Sequence, residues 1–515
     1  MCYISTRNNC SIASFAEAVT WGMVPGGGLF VPAQVPEIDV SKLVGQPYQK
    51  IAIDTLTPYI NGHGSQDGIL TPDTADYMAG NTAPHLDESE IRSCVSEAYN
   101  AESFDIPDIA KTVPVGSNRH MLELWHGPTA AFKDVALQIM PQFMKYSKVK
   151  CGDDSHTMIL VATSGDTGKA ALEGFRNRDG ISIAVFYPHG GVSEVQKLQM
   201  VTTDGANTRV VAVRGNFDDC QNGVKALFGD EALRDEAAGR GIKFSSANSI
   251  NWGRLCPQVV YYIKSYLDLV QSGEISYGDK IDFSVPTGNF GNILAGYYAK
   301  EMGLPIRKLI CASNMNNVLT DFFDTGVYDR NREFHKTMSP SMDILISSNL
   351  ERFLFEMSGR DADKITAWYE SLAVNGRFAV GVNIIEKMKS LIEAHWFNEA
   401  EVLEAIGELF RERGYVMDTH TAVAYAAAKR AAAKGGGDVP CVIVSTASPY
   451  KFSVDVLKGL GIAPDAGDEF ESVRRLSLAG AGGVHRAVDG LAEKPVMHDM
   501  VIDISEMRET VRGFL

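Results

Sequence analysis

Short β-branched runs alternate with amphipathic helical stretches from about residue 98 onward, and this alternation limits the possible folds most sharply. Thr157 to Thr163, Ile181 to Tyr187 and Thr208 to Val213 read as buried strands. Lys169 to Asn177, Glu194 to Met200 and Asp218 to Phe228 carry helical periodicity between and after them. The pattern resumes with strands Ile281 to Val285, Lys308 to Ala312 and Cys441 to Ser445. Helices over Ile293 to Met302, Ala422 to Ala433 and Phe452 to Leu460 accompany them. Such alternation builds βαβ units, so an α/β fold is expected, with a mostly parallel sheet covered on both faces.

The remaining segments set the expected domains. Residues 1–97 read as a smaller α+β domain. Within it, Ser14 to Met23 is a short helix and Val24-Pro-Gly-Gly-Gly-Leu-Phe-Val-Pro32 a glycine-rich turn into a strand. Residues 98–314 begin the α/β core, and 315–415 read as a mainly helical insertion. Residues 416–515 complete the core, with Lys434 to Gly437 as a flexible connector and a polar tail from about 465.

Charge and composition exclude several classes of function. A net charge of -16 repels nucleic acid and anionic membrane, so an anionic small molecule would need a local basic pocket. No apolar run approaches the roughly 18 to 20 residues a membrane helix needs. The eight cysteines are scattered, without Cys-x-x-Cys or zinc spacing. They read as buried thiols in a reducing compartment, so a cytoplasmic protein without metal is expected. Monomer and small homo-oligomer both stay open.

Three places along the chain carry chemistry. Lys133 follows the turn Gly127-Pro128-Thr129 and opens an apolar helical stripe of Val135, Ile139, Met140 and Phe143. Desolvation there favours the neutral amine, which can form a Schiff base with an aldehyde. A surface lysine with a buried stem is the plain alternative. Thr163-Ser164-Gly165-Asp166-Thr167-Gly168 and Pro286-Thr287-Gly288-Asn289-Phe290-Gly291-Asn292 are loops between a strand and a helix. The first suits a carboxylate or phosphate, or is a capped turn. The second curls its amides into an anion nest and has neither Walker A nor Rossmann spacing. Ser445 and Thr446 end a late strand, where a hydroxyl meets a cofactor's ring nitrogen or merely satisfies local backbone. Together, lysine, nest and hydroxyl are the three anchors that pyridoxal phosphate needs.

Their order on a parallel frame resembles the fold-type II pyridoxal-phosphate enzymes, the tryptophan synthase β family. The wording is similar to the threonine synthase family over nearly the whole chain. Tyr3-Ile-Ser-Thr-Arg7, Gly26 to Pro32, Trp125 to Asp134 and Ala162 to Gly168 resemble its segments. So do Tyr187-Pro188, Val192-Ser193, Gln199-Met200, Asn248 to Arg254, Gly288 to Asn292, Met342 to Ser348 and Asp418 to Val423. The likeness is to the longer fungal and enterobacterial-like branch.

The resemblance implies two open, mostly parallel doubly wound subdomains, with pyridoxal 5'-phosphate held by Lys133 as acid and base. It implies that Gly288, Asn289, Phe290, Gly291 and Asn292 line the cofactor's phosphate and that Thr446 faces its pyridine nitrogen. Ser164, Gly165, Asp166 and Thr167 would meet the substrate's amino-acid end. Arg254, Asn251 and Lys169 are candidates for its phosphate. Lys169, Ser448, Tyr450 and Asn292 depart from the family wording without removing a catalytic group. The implied reaction is that of a lyase of threonine biosynthesis, making L-threonine and phosphate from O-phospho-L-homoserine and water. A phospholyase on the same scaffold, releasing a 2-oxo acid and ammonia, is the alternative.

Overall fold

The strands that end at Ala162, Pro286 and Ser445 lead into loops that line one cavity, and Lys133 reaches the same cavity from the segment after the strand that ends at Glu123. The computed structural model describes residues 1–10, 12–24, 26–62, 83–436, 438–465 and 467–515. Pro25 and Gly437, expected in glycine-rich turns, lie outside the described residues. Strands β1 (Cys2–Ser5), β2 (Ala13–Ser14) and β3 (Phe30–Pro32) form a small antiparallel sheet in the order β2-β1-β3. The helix Phe15–Trp21 starts on a capping box, in which Ser14 and Glu17 each satisfy the other's backbone amide.

Further strands follow in chain order. They are β4 (Lys111–Gly116), β5 (Arg119–Glu123), β6 (His156–Ala162), β7 (Ile181–Pro188), β8 (Thr208–Arg214) and β9 (Ile242–Ser245). After these come β10 (Ile281–Pro286), β11 (Ile306–Ser313), β12 (Val327–Asp329) and β13 (Arg377–Ala379). The last are β14 (Ile392–Trp396), β15 (Cys441–Ser445) and β16 (Val501–Asp503).

One sheet has five strands in the order β16-β8-β7-β6-β9, all parallel. The other has six, β14-β11-β10-β15-β5-β4, parallel except for β4 at its edge. These are the two open, mostly parallel subdomains expected above. The segment 315–415 does more than insert helices, because β14 within it extends the six-stranded sheet beside β11. The polar tail also returns to the core: β16 pairs with β8, and the helix Met507–Phe514 buries Met507 and Val511. The sequence shows neither strand clearly, since β16 has three residues and β14 mixes Glu393 and His395 into its run.

The helix Lys133–Lys150 is the central element. Residues 133–144 are all buried, because helices Phe15–Trp21, Glu88–Ala98 and Asp166–Phe175 pack around it. Val135, Ile139, Met140 and Phe143 are fully buried, each contributing roughly 1.5 to 3 kcal/mol. Gly174 fixes the crossing with Asp166–Phe175, since a Cβ there would run into the Leu137 carbonyl. That contact sets the distance between the lysine that starts one helix and the carboxylate that starts the other.

Candidate active site

The carboxyl ends of β10, β15 and β5, three adjacent strands, carry the loops with Gly288, Thr446 and Lys133. An open parallel sheet binds ligands at that edge. The turn before Lys133 is tied from two sides. Asp134 accepts from the Thr129 amide at 2.8 Å and the Thr129 hydroxyl at 2.6 Å. The Phe132 amide donates to the Thr446 carbonyl at 2.8 Å, and the Ser448 amide to the Ala130 carbonyl at 3.0 Å. The lysine therefore starts its helix at a fixed place beside the end of β15.

Lys133 faces a cavity of about 250 Å³ that Ser164, Asp166, Thr167, Arg254, Gly288 to Asn292, Ser341, His420 and Thr446 also line. Its Nζ lies 3.2 Å from Asp166 Oδ2. Lys451 Nζ lies 2.7 Å from Asp166 Oδ1, and Gln196 Nε2 donates to the same oxygen at 2.9 Å. Burial lowers the pKa of Lys133, and Lys451 and Arg254 push it the same way against the opposing pull of Asp166. Burial alone would raise Asp166, but the charges of Lys451 and Lys133 hold it well below the ordinary carboxylate range.

The loop Gly288 to Asn292 leads into the helix Gly291–Glu301, whose first amides lack intrahelical partners. Phe290 turns the chain with a φ of 60°, and its ring stacks on Phe323 in the core, so only its backbone serves the cavity. Asn292 is decisive. Its Oδ1 accepts from the Tyr261 and Tyr262 hydroxyls at 2.8 and 2.7 Å, while its buried Nδ2 has no hydrogen-bond partner. A donor left unsatisfied at a helix start costs stability and suits an incoming anion.

Across the cavity, Thr163 Oγ accepts from the Gly165 and Gly168 amides at 3.0 and 2.8 Å, shaping the loop that presents Ser164 and Thr167. Gly165 adopts a φ of 132°, open only to glycine. Its place is in the turn, not on the cavity wall. Arg254 is buried, with NH1 on the Ala247 carbonyl at 2.8 Å and NH2 at 3.4 Å from Thr167 Oγ. No carboxylate among the described residues pairs with it, and burial lowers its pKa to about 10.

Two expected phosphate contacts do not reach the cavity. Asn251 caps the helix Trp252–Leu255, with Oδ1 accepting from the Gly253 amide and Nδ2 donating to the Val19 and Ser246 carbonyls. Lys169 points along its own helix to Glu173 at 2.8 Å and to Thr203 Oγ at 3.2 Å. The i,i+4 acid satisfies that lysine locally. Lys451, Gln196, Ser341 and His420 were missed from sequence. Lys451 had the clearest signal, standing five residues past Thr446 in the same segment.

The geometry defines a class: a pyridoxal-phosphate dependent enzyme with a lysine, an anion nest and a hydroxyl at one sheet edge. Residues 121–447 match the family model described as pyridoxal-phosphate dependent enzyme. Residues 2–71 match a model of the threonine synthase N terminus, and 421–477 its C-terminal model. The chain is 36% identical over 468 residues to a threonine synthase of Pseudomonas aeruginosa, covering 90% of this chain and 92% of that one. It superposes with a TM-score of 0.83 on the pyridoxal-phosphate-bound threonine synthase of Brucella melitensis, at 34% identity, covering 100% and 99% of the two chains. A human threonine synthase-like 1 protein is 41% identical over 480 residues. That match takes in 89% of this chain, which spans 61% of the human protein's length.

The chain belongs to the threonine synthase family. Its cofactor is pyridoxal phosphate, and the residues present fit it: the unpartnered Asn292 amide, the nest, Lys133 and Thr446 share one cavity wall. Among the described residues, no helix is long and apolar enough to cross a membrane.

Proposed function

We propose that the chain converts O-phospho-L-homoserine and water into L-threonine and phosphate, the last step of threonine biosynthesis. The observation that carries this reading is Arg254, a buried guanidinium in the same cavity as Lys133 that has no acidic partner among the described residues. A second anion site beyond the cofactor nest suits a substrate with a phosphate of its own. When bound, pyridoxal phosphate supplies an electron sink for the carbon bearing the substrate's amine.

The chain's residues do the rest. Lys133 Nζ takes the proton from the substrate's Cα, and burial, which lowers its pKa, favours the neutral amine that this step needs. A second proton leaves Cβ, the electron pair of that bond expels the phosphate from Cγ, and Cγ is reprotonated before water adds at Cβ. Arg254 holds the phosphate through its departure and neutralises the charge that develops on it. Ser164 and Thr167 meet the substrate's carboxylate. Gly288, Asn289, Gly291 and Asn292 would hold the cofactor's phosphate, with Phe290 contributing backbone alone. The neutral hydroxyl of Thr446, on the same cavity, would meet the pyridine nitrogen without supplying it a charge, a pairing that would favour elimination and replacement. Addition of one water at Cβ requires the site to exclude bulk solvent while the reaction proceeds. The free cysteines, most of them buried, suit a reducing cytoplasmic setting, and the proposal takes the enzyme as a monomer or small homo-oligomer.

Holoenzyme given O-phospho-L-homoserine should release phosphate and L-threonine in equal amounts. Release of 2-oxobutyrate and ammonia in place of threonine would instead assign a phospholyase. Lys133→Ala should lose the visible band of the lysine-bound cofactor and turnover by on the order of 10³-fold or more. Retention of either would remove Lys133 from the role given to it.

A further inference from the structure

Two lysines share one carboxylate at the floor of the cavity, and only Lys133 has a role in the reaction proposed. Lys451 sits in the short turn of helix Pro449–Phe452, has no exposed surface, and donates to the Thr129 carbonyl at 3.0 Å as well as pairing with Asp166. A buried charge is retained only where something compensates it. Asp166 compensates Lys451 at 2.7 Å and holds Lys133 more loosely, at 3.2 Å.

The problem this arrangement solves is one of charge. To bond to an aldehyde, Lys133 must give up a proton. If Asp166 had Lys133 as its only cation, that loss would leave a carboxylate buried without a counter-ion, a state that burial strongly disfavours. With Lys451 in place, the carboxylate keeps a partner whichever state Lys133 is in. We propose that Lys451 is a positioning residue, a standing counter-ion for Asp166 that lets Lys133 shed its proton.

The other groups facing the pair are a second cation, neutral polar side chains, a histidine and one further carboxylate. Arg254 faces Lys133 from the helix Trp252–Leu255 and disfavours a second cation. Gln196 donates to Asp166 from the helix Glu194–Val201, and Ser341 Oγ approaches its Oδ2 at 3.4 Å. His420 lies on the helix Thr419–Ala431, its Nδ1 3.0 Å from Asp418 and its Nε2 accepting from the Ser341 amide. Asp134 is the nearest other carboxylate on Lys133's own helix. It is turned onto Thr129, and burial raises its pKa.

The inference rests on Lys133 as the cofactor lysine, and its test does not depend on which product is formed. Apoenzyme is mixed with pyridoxal phosphate across a pH series, and the rate of appearance of the lysine-bound band is followed. In Lys451→Met, Lys133 becomes the only lysine or arginine paired with Asp166 among the described residues, so the pH at half-maximal capture should move up by about one unit or more. Capture near neutral pH should slow about tenfold.

Lys451→Arg keeps the charge and should stay within about twofold of the parent. Adding Asp166→Asn to Lys451→Met removes the carboxylate that traps the proton and should bring the midpoint back down. If Lys451→Met fails to fold, Lys451→Gln keeps a donor to Thr129 and should show the same alkaline shift. An unmoved midpoint in a folded neutral variant, or a double variant as slow as the single one, overturns the proposal. Lys133→Ala retaining the band would instead refute the underlying reading of Lys133, so the two failures are distinct.

Discussion

Arg254 and Arg352 are both buried guanidiniums with pKa values lowered to about 10 by burial, yet the protein treats them in opposite ways. Arg352 donates from all three nitrogens, to the Phe30, Ser249 and Ile250 carbonyls and to Asn349 Oδ1. It pins β3 to the turn ahead of the helix Trp252–Leu255. Arg254 gives one good bond to a carbonyl and one long contact to Thr167, and the rest of its fork faces the cavity. A buried arginine satisfied by carbonyls is structure. One left half-satisfied beside a reactive lysine is a place for an incoming anion.

The contrast predicts different losses. Replacing Arg352 with Leu strands several buried acceptors at once and should destabilise the fold by on the order of 3 to 5 kcal/mol in denaturant unfolding. Any fall in activity should follow the folded fraction. Asn251→Ala removes a cap and two buried bonds, so a loss of about 1 to 2 kcal/mol is expected with KM unchanged. A raised KM would return Asn251 to the substrate site.

Asn292→Ala should weaken pyridoxal phosphate about tenfold by equilibrium titration, since it deletes the one unpartnered amide at the nest. Stability without cofactor should change little, because the Tyr261 hydroxyl keeps Gln258 Oε1 and the Tyr262 hydroxyl keeps the residue 292 carbonyl as acceptors. Smallest of all, Lys169→Met should move stability by no more than about 1 kcal/mol and leave KM alone. A change in KM there would place its ammonium in the cavity after all.

What the sequence made legible follows from how each feature encodes itself. The strand Cys441–Ser445 and the loops after it, after β6 and after β10 stand out because buried parallel strands are continuous apolar runs ending in glycine or hydroxyl residues. The hairpin of β4 and β5 is hidden because Arg119, His120 and Glu123 break up the apolar pattern of β5. Lys133 was legible because its motif is local. Lys451 was not, because its role exists only where a late turn meets the start of Asp166–Phe175, across 285 positions. Asn251 and Lys169 were drawn in by sequence neighbourhood, and their nearest partners, a helix start and an i,i+4 acid, claim them first.

The division of labour on the cavity wall is tested most directly by titrating Arg254→Leu with both of its anions. The account predicts unchanged affinity for pyridoxal phosphate, together with binding of O-phospho-L-homoserine weakened about a hundredfold, the worth of a charge-assisted pair. Equal weakening of both, or no change in the phosphorylated substrate, would contradict it.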